Sequence, residues 1–288
     1  MTGDKATVWS RLALLVVLLW TLLPIYWFLK NAFLTPDEIA RFPPPLYPLE
    51  PTPAAFFNIF GIDYTLVDGT VRRGSGQANQ IIRGLINSAI VSAVVTAVTL
   101  LVVLPLAYVF ARLDFAHKNK LLFAILLAVA LPPVSTLIPF YAMYIQLGLA
   151  GTLTGLIIVT LTITIPFVTW MLIGFFRNLP PVERLALIDG FSRFETFRKI
   201  ILPLGKSGVA VAAVIAFLFA WNEYTYALVL VNGTTANTLP TAISGFLFQH
   251  PEPSHLAASL ALTILPPALV AFFLQRHIAD MNLVDPVR

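Results

Sequence analysis

Long apolar runs alternate with short polar segments along the whole chain. A helix that crosses a membrane needs about 20 mostly apolar residues. Six runs reach this length, and they cover residues 11–33, 84–110, 121–144, 152–176, 208–231 and 256–274. The pattern therefore predicts an all-α integral membrane protein in which a single transmembrane domain, residues 1–288, contains six transmembrane helices. Internal prolines such as Pro105 and Pro166 predict kinks, because proline removes a helical hydrogen bond.

The first run has the basic flank of a signal peptide, since Lys5 and Arg11 precede most of it. However, its apolar stretch over residues 12–28 exceeds the usual signal-peptide core of about 7–15 residues, and no small-x-small cleavage motif follows. We therefore expect a helix that is retained in the mature protein.

The composition excludes several classes of soluble protein. Hydrophobic residues make up 58% of the chain and charged residues 11%, whereas soluble domains carry roughly a quarter charged residues. The chain has no cysteine, which excludes disulfides, thiolate catalysis and cysteine-based metal sites. Most basic residues lie in short segments between apolar runs and form no basic stripe, so we expect membrane lipid and no nucleic acid as partners.

The positions of Lys and Arg predict the orientation of the helices, because cytoplasmic loops carry an excess of these residues. With the N-terminus in the cytoplasm, 13 of the 18 Lys and Arg fall on the inner side. We therefore expect an extracytoplasmic segment over residues 34–82, a cytoplasmic loop over 177–206 and a cytoplasmic tail over 275–288. Prolines between positions 43 and 53 predict an extended start to the outer segment.

The cytoplasmic loop carries the signals of two short helices joined by a glycine. Two prolines precede the first helix and Gly190 follows it, which are the positions that these residues favour at helix ends. Ser192 and Glu195 form the Ser-x-x-Glu pattern of a capping box at the start of the second helix, which we expect to stop at Pro203.

Apolar residues give each of these short helices one apolar face. Leu185 and Ile188 share a face of the first helix, and Phe194, Phe197 and Ile201 share a face of the second. Apolar patches rimmed by charge are typical of docking sites. A helix lying on the lipid surface is the alternative.

The loop resembles that of the permease subunits of binding-protein-dependent ABC importers, which reads Glu-Ala-Ala, three residues, Gly, nine residues, Ile, any residue, Leu-Pro. This chain has matching residues at that spacing, which are Arg184-Leu185-Ala186, Gly190 and Ile200-Ile201-Leu202-Pro203. Arg184 stands where the family has its loop glutamate, and Glu183 directly precedes it. Further similar stretches are Asn87-Ser88, residues 107–112, Gly148-Leu149 and residues 221–224, so the resemblance covers roughly residues 84–277. Residues 188–190 and 197–200 look like the carbohydrate branch, specifically the smaller subunit of maltose-type importers.

This resemblance implies a type I ABC importer permease fold with a MetI-like core. It also implies a subunit of the bacterial cytoplasmic (inner) membrane that imports a sugar or a related polyhydroxylated solute by alternating access. The implied partners are a second homologous permease subunit, two ATPase subunits and an extracytoplasmic solute-binding protein. ATP and Mg would be bound by the ATPases, so we expect no cofactor, no metal and no catalytic site in this chain.

The resemblance assigns contact with the ATPase to a set of loop residues, which are Glu183, Arg184, Ala186, Asp189, Gly190, Phe194, Phe197 and Pro203. The similarity of Gly205-Lys206-Ser207 to a phosphate-binding loop is superficial, because that motif needs a glycine where this chain has Ile200.

The polar residues inside the fifth apolar run indicate a solute path. Ionisable groups at membrane depth usually face a bundle interior or a water-filled cavity. Trp221, Asn222, Glu223 and Tyr224 place an amide, a carboxylate and two aromatic rings in one predicted helical turn, a mixture that suits a sugar. We expect Asn222 to line the path and Glu223 to bond a neighbouring helix or an outer gate. A purely structural hydrogen bond between helices is the alternative.

Two further functions compete with the importer. An ion- or proton-coupled secondary transporter would predict several intramembrane acids and paired inverted repeats, whereas Glu223 is the clear intramembrane acid and no repeat is visible. A membrane-embedded enzyme would need a catalytic cluster, which the apolar runs lack. His250 and His255 flank Glu252, but adjacent prolines disfavour helical ligand geometry, so we expect no metal there.

Overall fold

The computed structural model describes residues 8–249 and 251–279. The predictions that involve Lys5, His250 and the end of the tail lie outside the described residues. The secondary-structure elements follow one another as α1 Val8–Asn31, α2 Pro36–Ala40, α3 Ala54–Asn58, β1 Tyr64–Thr65, β2 Val71–Arg72, α4 Ala78–Arg112, α5 Lys118–Ala130, α6 Pro133–Gln146, α7 Leu153–Arg177, α8 Glu183–Ile188, α9 Arg193–Thr196, a π-helical turn Phe197–Ile201, α10 Leu202–Leu204, α11 Lys206–Trp221, α12 Thr225–Leu230, α13 Leu239–Phe248 and α14 Pro253–Ala279.

Five stretches within the described residues are long and apolar enough to cross a membrane, and a bent pair of helices raises the number to six. The five are Ser10–Asn31, Ala78–Arg112, Leu153–Arg177, Lys206–Leu230 and Pro253–Gln275. The chain is therefore a multi-pass membrane protein, and the predicted all-α fold class is confirmed.

The bent pair occupies the segment that the sequence predicts as one helix over residues 121–144. α5 and α6 meet at 92° instead. Leu131 and Pro132 are both extended, with ψ of 122° and 131°. Each of them precedes a proline, whose ring disfavours helical geometry in the residue before it. Two consecutive prolines therefore break this segment rather than kink it.

The chain divides into two compact units, of which the first comprises residues 1–82 and 242–264. In this unit the predicted outer segment packs back on the end of α1. Tyr26 Oη donates to the carbonyl of Leu46 over 2.6 Å, and Lys30 Nζ donates to the carbonyl of Pro45 over 2.5 Å. The proline-rich stretch is thus fastened to the helix that precedes it.

A buried carboxylate organises the next part of the outer segment. Glu38 is 3% exposed and accepts hydrogen bonds from the backbone N–H groups of Thr35, Leu49 and Glu50. Burial acts to raise the pKa of Glu38, but these hydrogen bonds outweigh it and lower the pKa below its usual value. Beyond it, β1 and β2 pair as an antiparallel hairpin.

The second unit comprises residues 83–241 and 265–288, and its core joins α4, α7 and α11. One cluster of buried side chains includes Val103, Ala107, Tyr108, Val168, Leu172, Phe176, Phe197, Ile201, Ala212 and Ala216. Small residues on α11 allow close approach, since a Cβ on Gly208 would lie 2.5 Å from Cε1 of the Phe175 ring. The π-helical turn enters the same core through Phe197 and Ile201, which attaches the loop after α7 to the spanning helices.

Candidate functional site

The first short helix of the loop, α8, ends at a glycine as the sequence predicts. Gly190 has φ +84°, a left-handed conformation that glycine adopts without steric cost. The N–H of Gly190 donates to the carbonyl of Leu187, and the N–H of Phe191 donates to the carbonyl of Ala186. This pair of hydrogen bonds is the Schellman motif, which turns the chain sharply between the two helices.

The second helix, α9, begins with the predicted capping box. Ser192 Oγ accepts from the Glu195 N–H over 3.2 Å, and the Glu195 carboxylate accepts from the Ser192 N–H over 3.1 Å. Lys199 Nζ also lies 2.9 Å from Glu195 Oε1. Hydrogen bonds from the Ser192 backbone, the Lys199 ammonium and the Ser192 hydroxyl hold the pKa of Glu195 at about 2, well below its usual value of 4.5.

The prediction that Pro203 stops the second helix is wrong. After α9 the chain makes a π-helical turn and continues through α10, where Pro203 occupies one of the first two positions. Proline is tolerated there because the first turn of a helix does not need its N–H groups. The interruption before α11 falls at Gly205 instead, whose N–H bonds to the carbonyl of Ile201 over 2.8 Å.

A single arginine fastens the loop to α4. Arg112 Nη2 donates to the carbonyl of Leu179 over 2.5 Å and to that of Pro180 over 3.1 Å. Its Nε lies 3.3 Å from Glu183 Oε1, close enough for an ion pair but without hydrogen-bond alignment. The Phe197 ring lies 5.1 Å from that of Tyr108, so a second contact joins α4 and the loop.

The loop residues assigned to ATPase contact divide into two groups. Ala186 and Phe197 are 2% and 8% exposed and pack within this chain. Glu183 turns toward Arg112. Five of the assigned residues are exposed, and these are Arg184, Asp189, Gly190, Phe194 and Pro203.

The shared apolar face predicted for the second helix is split. Phe194 is 69% exposed, whereas Phe197 and Ile201 are buried. The π-helical turn changes the angular spacing of side chains, so a period of 3.6 residues does not hold across it. Four large apolar side chains remain exposed on α8 and α9, and these are Leu185, Leu187, Ile188 and Phe194.

The four polar and aromatic residues of the fifth span do not form one helical turn, so that part of the prediction is wrong. α11 ends at Trp221 and α12 begins at Thr225. The Glu223 carboxylate accepts hydrogen bonds from the N–H groups of Tyr226 and Ala227, each over 2.9 Å. Glu223 therefore caps the next short helix of its own chain rather than bonding a neighbouring spanning helix.

The break between α11 and α12 opens a cavity of about 420 Å³. Its lining residues are Pro133, Ile163, Leu218, Phe219, Asn222, Glu223, Tyr224, Thr225 and Tyr226. Asn222 is exposed, with its Nδ2 donating to the carbonyl of Leu218. Trp221 is buried and stacks on Phe217, with ring centroids 5.7 Å apart. Three of the four predicted path residues thus meet at one cavity, and Trp221 packs behind it.

The structure adds contacts that the sequence does not reveal. Asn87 Nδ2 donates to the carbonyls of Thr235 and Asn237, over 3.0 and 2.7 Å, and Ser88 Oγ accepts from the Leu239 N–H. These bonds fasten the segment before α13 to α4 across about 150 positions of sequence. The Asn-Ser pair is visible in the sequence, but its partners are not.

The histidine of the predicted outer loop lies at the start of α14. His255 is buried, and its Nδ1 lies 2.6 Å from Glu252 Oε2. Among the residues that the structure describes, no group of three or more His, Cys, Asp or Glu side chains could hold a metal ion.

Spanning helices, a capped pair of short helices attached to them and a cavity at a broken span together define a membrane permease. Residues 103–280 match the protein family described as the binding-protein-dependent transport system inner membrane component. The chain belongs to this family. Membership in this family argues against the alternative of an ion- or proton-coupled secondary transporter. The resemblance of the loop to that of ABC importer permeases is confirmed.

Individual relatives agree with this assignment. The trehalose transport system permease protein SugB of Mycobacterium tuberculosis (strain CDC 1551 / Oshkosh) is 31% identical over 291 residues, which cover 98% of each chain. The sulfoquinovosyl glycerol transport system permease protein SmoH of Agrobacterium fabrum (strain C58 / ATCC 33970) is 29% identical, over 90% of this chain and 86% of its own.

A solved structure shares the fold. A chain from the crystal structure of a bacterial ABC transporter involved in the import of the acidic polysaccharide alginate matches with a TM-score of 0.76. The match covers 96% of this chain and 98% of that chain at 16% identity. The predicted type I ABC importer permease fold is therefore confirmed.

Proposed function

We propose that this chain is a permease subunit of an ATP-driven importer that moves a sugar or a related polyhydroxylated solute into the cytoplasm. The helices would present the solute path alternately to the two sides of the membrane. ATP would be bound and hydrolysed, with Mg, by partner ATPase subunits. We propose no catalytic, cofactor or metal site for this chain.

The observation that carries the proposal is the loop between α7 and α11. Its two helices are held by a Schellman turn and a capping box, and Arg112 fixes its first segment to α4. Phe194 and Ile188 are nevertheless 69% and 81% exposed. A rigid, attached element with exposed apolar residues is suited to meet a partner and to pass its movement to the spanning helices.

The solute class is supported by the relatives and by the cavity at the break in the fifth span. The relatives' names specify trehalose and sulfoquinovosyl glycerol, and the solved transporter imports a polysaccharide. Glu223, Asn222 and two tyrosines line the cavity. Polar groups of this kind can replace the hydration of hydroxyls, while aromatic rings offer flat surfaces to the C–H faces of a sugar.

The partners follow from the family. A binding-protein-dependent system needs a solute-binding protein on the outer side. We propose that this chain pairs with a second homologous permease and that two ATPase subunits dock beneath the pair. We also propose that both termini lie in the cytoplasm, which the excess of Lys and Arg on one side supports.

The test of the solute class is competition for uptake. Vesicles containing the complete complex, with the binding protein outside and ATP inside, should accumulate labelled trehalose or another labelled glycoside. An excess of the matching unlabelled sugar should suppress this uptake, and an excess of amino acid or phosphate should not. Uptake that amino acid or phosphate suppresses and sugars leave unchanged would contradict the proposed solute class.

A further inference from the structure

A cationic cleft lies between the end of α4 and the short helices of the loop. Its volume is about 580 Å³, and its lining includes Tyr108, Arg112, Glu183, Arg184 and Arg193. Three guanidinium groups and one carboxylate leave this lining with a formal charge of +2. The cleft is therefore suited to an anionic group.

Two of the three arginines that line the cleft are free to bind an anionic group. Arg112 is already engaged by two backbone carbonyls and by Glu183. Arg184 and Arg193 are exposed, and within the described part of the chain neither guanidinium has an ion-pair or hydrogen-bond partner. Glu183, which directly precedes Arg184, forms its ion pair with Arg112 instead. Both guanidinium groups are therefore available to an acceptor from outside this chain.

The surroundings of the cleft indicate a protein as the source. Leu187 contributes to the lining, and Ile188 and Phe194 are exposed nearby on the same two helices. Aromatic and arginine side chains are enriched at protein–protein interfaces, where they contribute much of the binding energy. A guanidinium group matches the geometry of a carboxylate through two parallel hydrogen bonds.

We propose that an Asp or Glu side chain of the partner ATPase enters this cleft and is held by Arg184 and Arg193. The inference rests on the proposed function, because it specifies the chemistry of the partner at the loop. The charge at this contact is positive on the permease and negative on the ATPase. Arg112 also lines the cleft, so a carboxylate bound here would lie beside the residue that attaches the loop to α4.

The test measures binding of the ATPase to the permease pair in lipid nanodiscs. Arg184→Glu and Arg193→Glu are compared with Arg198→Glu, which makes the same charge change at an exposed residue of the same loop outside the cleft. We expect the two cleft variants to weaken ATPase binding by about tenfold or more and to reduce its salt dependence. Arg198→Glu should stay within about twofold of the unmodified chain, and Arg184→Lys should lose less than Arg184→Glu.

Nanodiscs with anionic or with zwitterionic lipid identify the source of the anion. Losses in the cleft variants that are equal in both lipids support the ATPase carboxylate. Losses confined to anionic lipid would overturn the inference in favour of a lipid phosphate. Cleft variants that bind the ATPase as well as Arg198→Glu does would also overturn it and leave the proposed function intact. Failure of the unmodified permease to bind the ATPase would contradict the proposed function itself and the inference with it.

Discussion

At Glu223 both carboxylate oxygens accept backbone hydrogen bonds, from Tyr226 and Ala227. The side chain thus satisfies two of the N–H groups that the start of a helix leaves without partners. It does so where α11 has ended and α12 begins, beside the cavity that carries the proposed solute path. A carboxylate that sequence reasoning assigns to contacts between helices is therefore a local cap that maintains the break.

This role predicts a graded response to substitution. Glu223→Gln should keep more uptake than Glu223→Ala, because the amide oxygen still accepts one backbone hydrogen bond. Glu223→Ala removes the cap, which is worth about 1 kcal/mol of helix stability. Uptake assays and hydrogen exchange at the amides of Tyr226 and Ala227 measure the two effects. Equal loss of uptake in both variants, with these amides still protected, would show that the charge rather than the cap is needed.

A second residue-scale prediction concerns acid. Because the pKa of Glu195 is lowered from 4.5 to about 2, the stabilisation from its ionised form is fully present above pH 4.5 and is lost as the pH falls toward 2. Hydrogen exchange at the Ser192 amide, measured at a series of acid pH values, should therefore show protection that persists below pH 4.5.

The matched control for this titration is Glu195→Gln, which retains an acceptor for the Ser192 amide but has no carboxyl group to protonate. Its protection should vary less with pH than that of the unmodified chain. Loss of protection at the usual glutamate pKa would contradict the hydrogen-bonded geometry at the start of α9.

At the scale of elements, the loop shows which features a sequence can specify. Gly190 and the Ser192–Glu195 pair are local signals, because the turn and the cap depend on neighbouring residues alone. The contact of Arg112 with the carbonyl of Leu179 joins positions 67 apart, and nothing in the local pattern encodes it. No glycine or proline marks the break after Trp221, so the apolar run predicts a continuous helix there.

The turn between α8 and α9 can be tested through its glycine. A left-handed conformation costs a residue with a Cβ about 1–2 kcal/mol. Because a Cβ on Gly190 would meet no nearby atom of this chain within 4 Å, backbone strain is the effect that we expect Gly190→Val to have within the permease itself. We expect Gly190→Val to assemble normally but to lose transport and transport-stimulated ATP hydrolysis, with Gly190→Ala intermediate.

Gly174→Val is the matched control for this turn. Gly174 is exposed within α7, has no positive φ and offers the same open space to a Cβ. Its coupling of transport to ATP hydrolysis should change less. Normal coupling in Gly190→Val would contradict the role of the loop as a rigid lever.

The attachment of the loop to α4 gives a further prediction at this scale. Arg112→Lys keeps the charge but cannot reproduce the forked contact with two carbonyls and Glu183. Hydrogen bonds to charged groups contribute about 1.5–3 kcal/mol, so we expect the attachment to weaken by about tenfold or more and uptake per ATP hydrolysed to fall as a result. Glu183→Gln should have a smaller effect, since the backbone contacts remain.

A control at a second basic residue separates the loss of this attachment from a general effect of removing positive charge. Lys120→Ala, at an exposed residue in the first turn of α5, should leave coupling unchanged. Arg112→Lys with normal uptake per ATP would show that the loop passes its movement to the spanning helices by another route.

At the scale of the whole molecule, the apolar pattern predicts how many helices span the membrane. It does not predict which side chains of those helices are buried within this chain, because packing determines that. None of the apolar window of the first span, Ser10–Asn31, is buried within this chain. Its side chains therefore face lipid or other subunits in a membrane, which no pattern within one chain can specify. The outer segment likewise depends on buried Glu38 and on the fastening of Pro45, contacts that its extended, proline-rich sequence does not predict.

The orientation predicted from charge is testable because the chain has no native cysteine. Val67→Cys and Thr235→Cys should react with an impermeant thiol reagent from outside, and Ile188→Cys only after the membrane is opened. All three positions are exposed within this chain, so in the permease without its ATPase the side of the membrane rather than burial decides the result. Labelling of Ile188→Cys from outside, or protection of Val67→Cys, would contradict an N-terminus in the cytoplasm.

The central claim is that ATP hydrolysed by partner subunits drives solute through this permease. The most direct measurement is uptake of labelled sugar into vesicles that contain the complete complex, with the binding protein outside. We predict accumulation with ATP inside and no ion gradient, and no accumulation when a non-hydrolysable ATP analogue replaces ATP. Accumulation that requires a proton or sodium gradient and proceeds without ATP would contradict the claim.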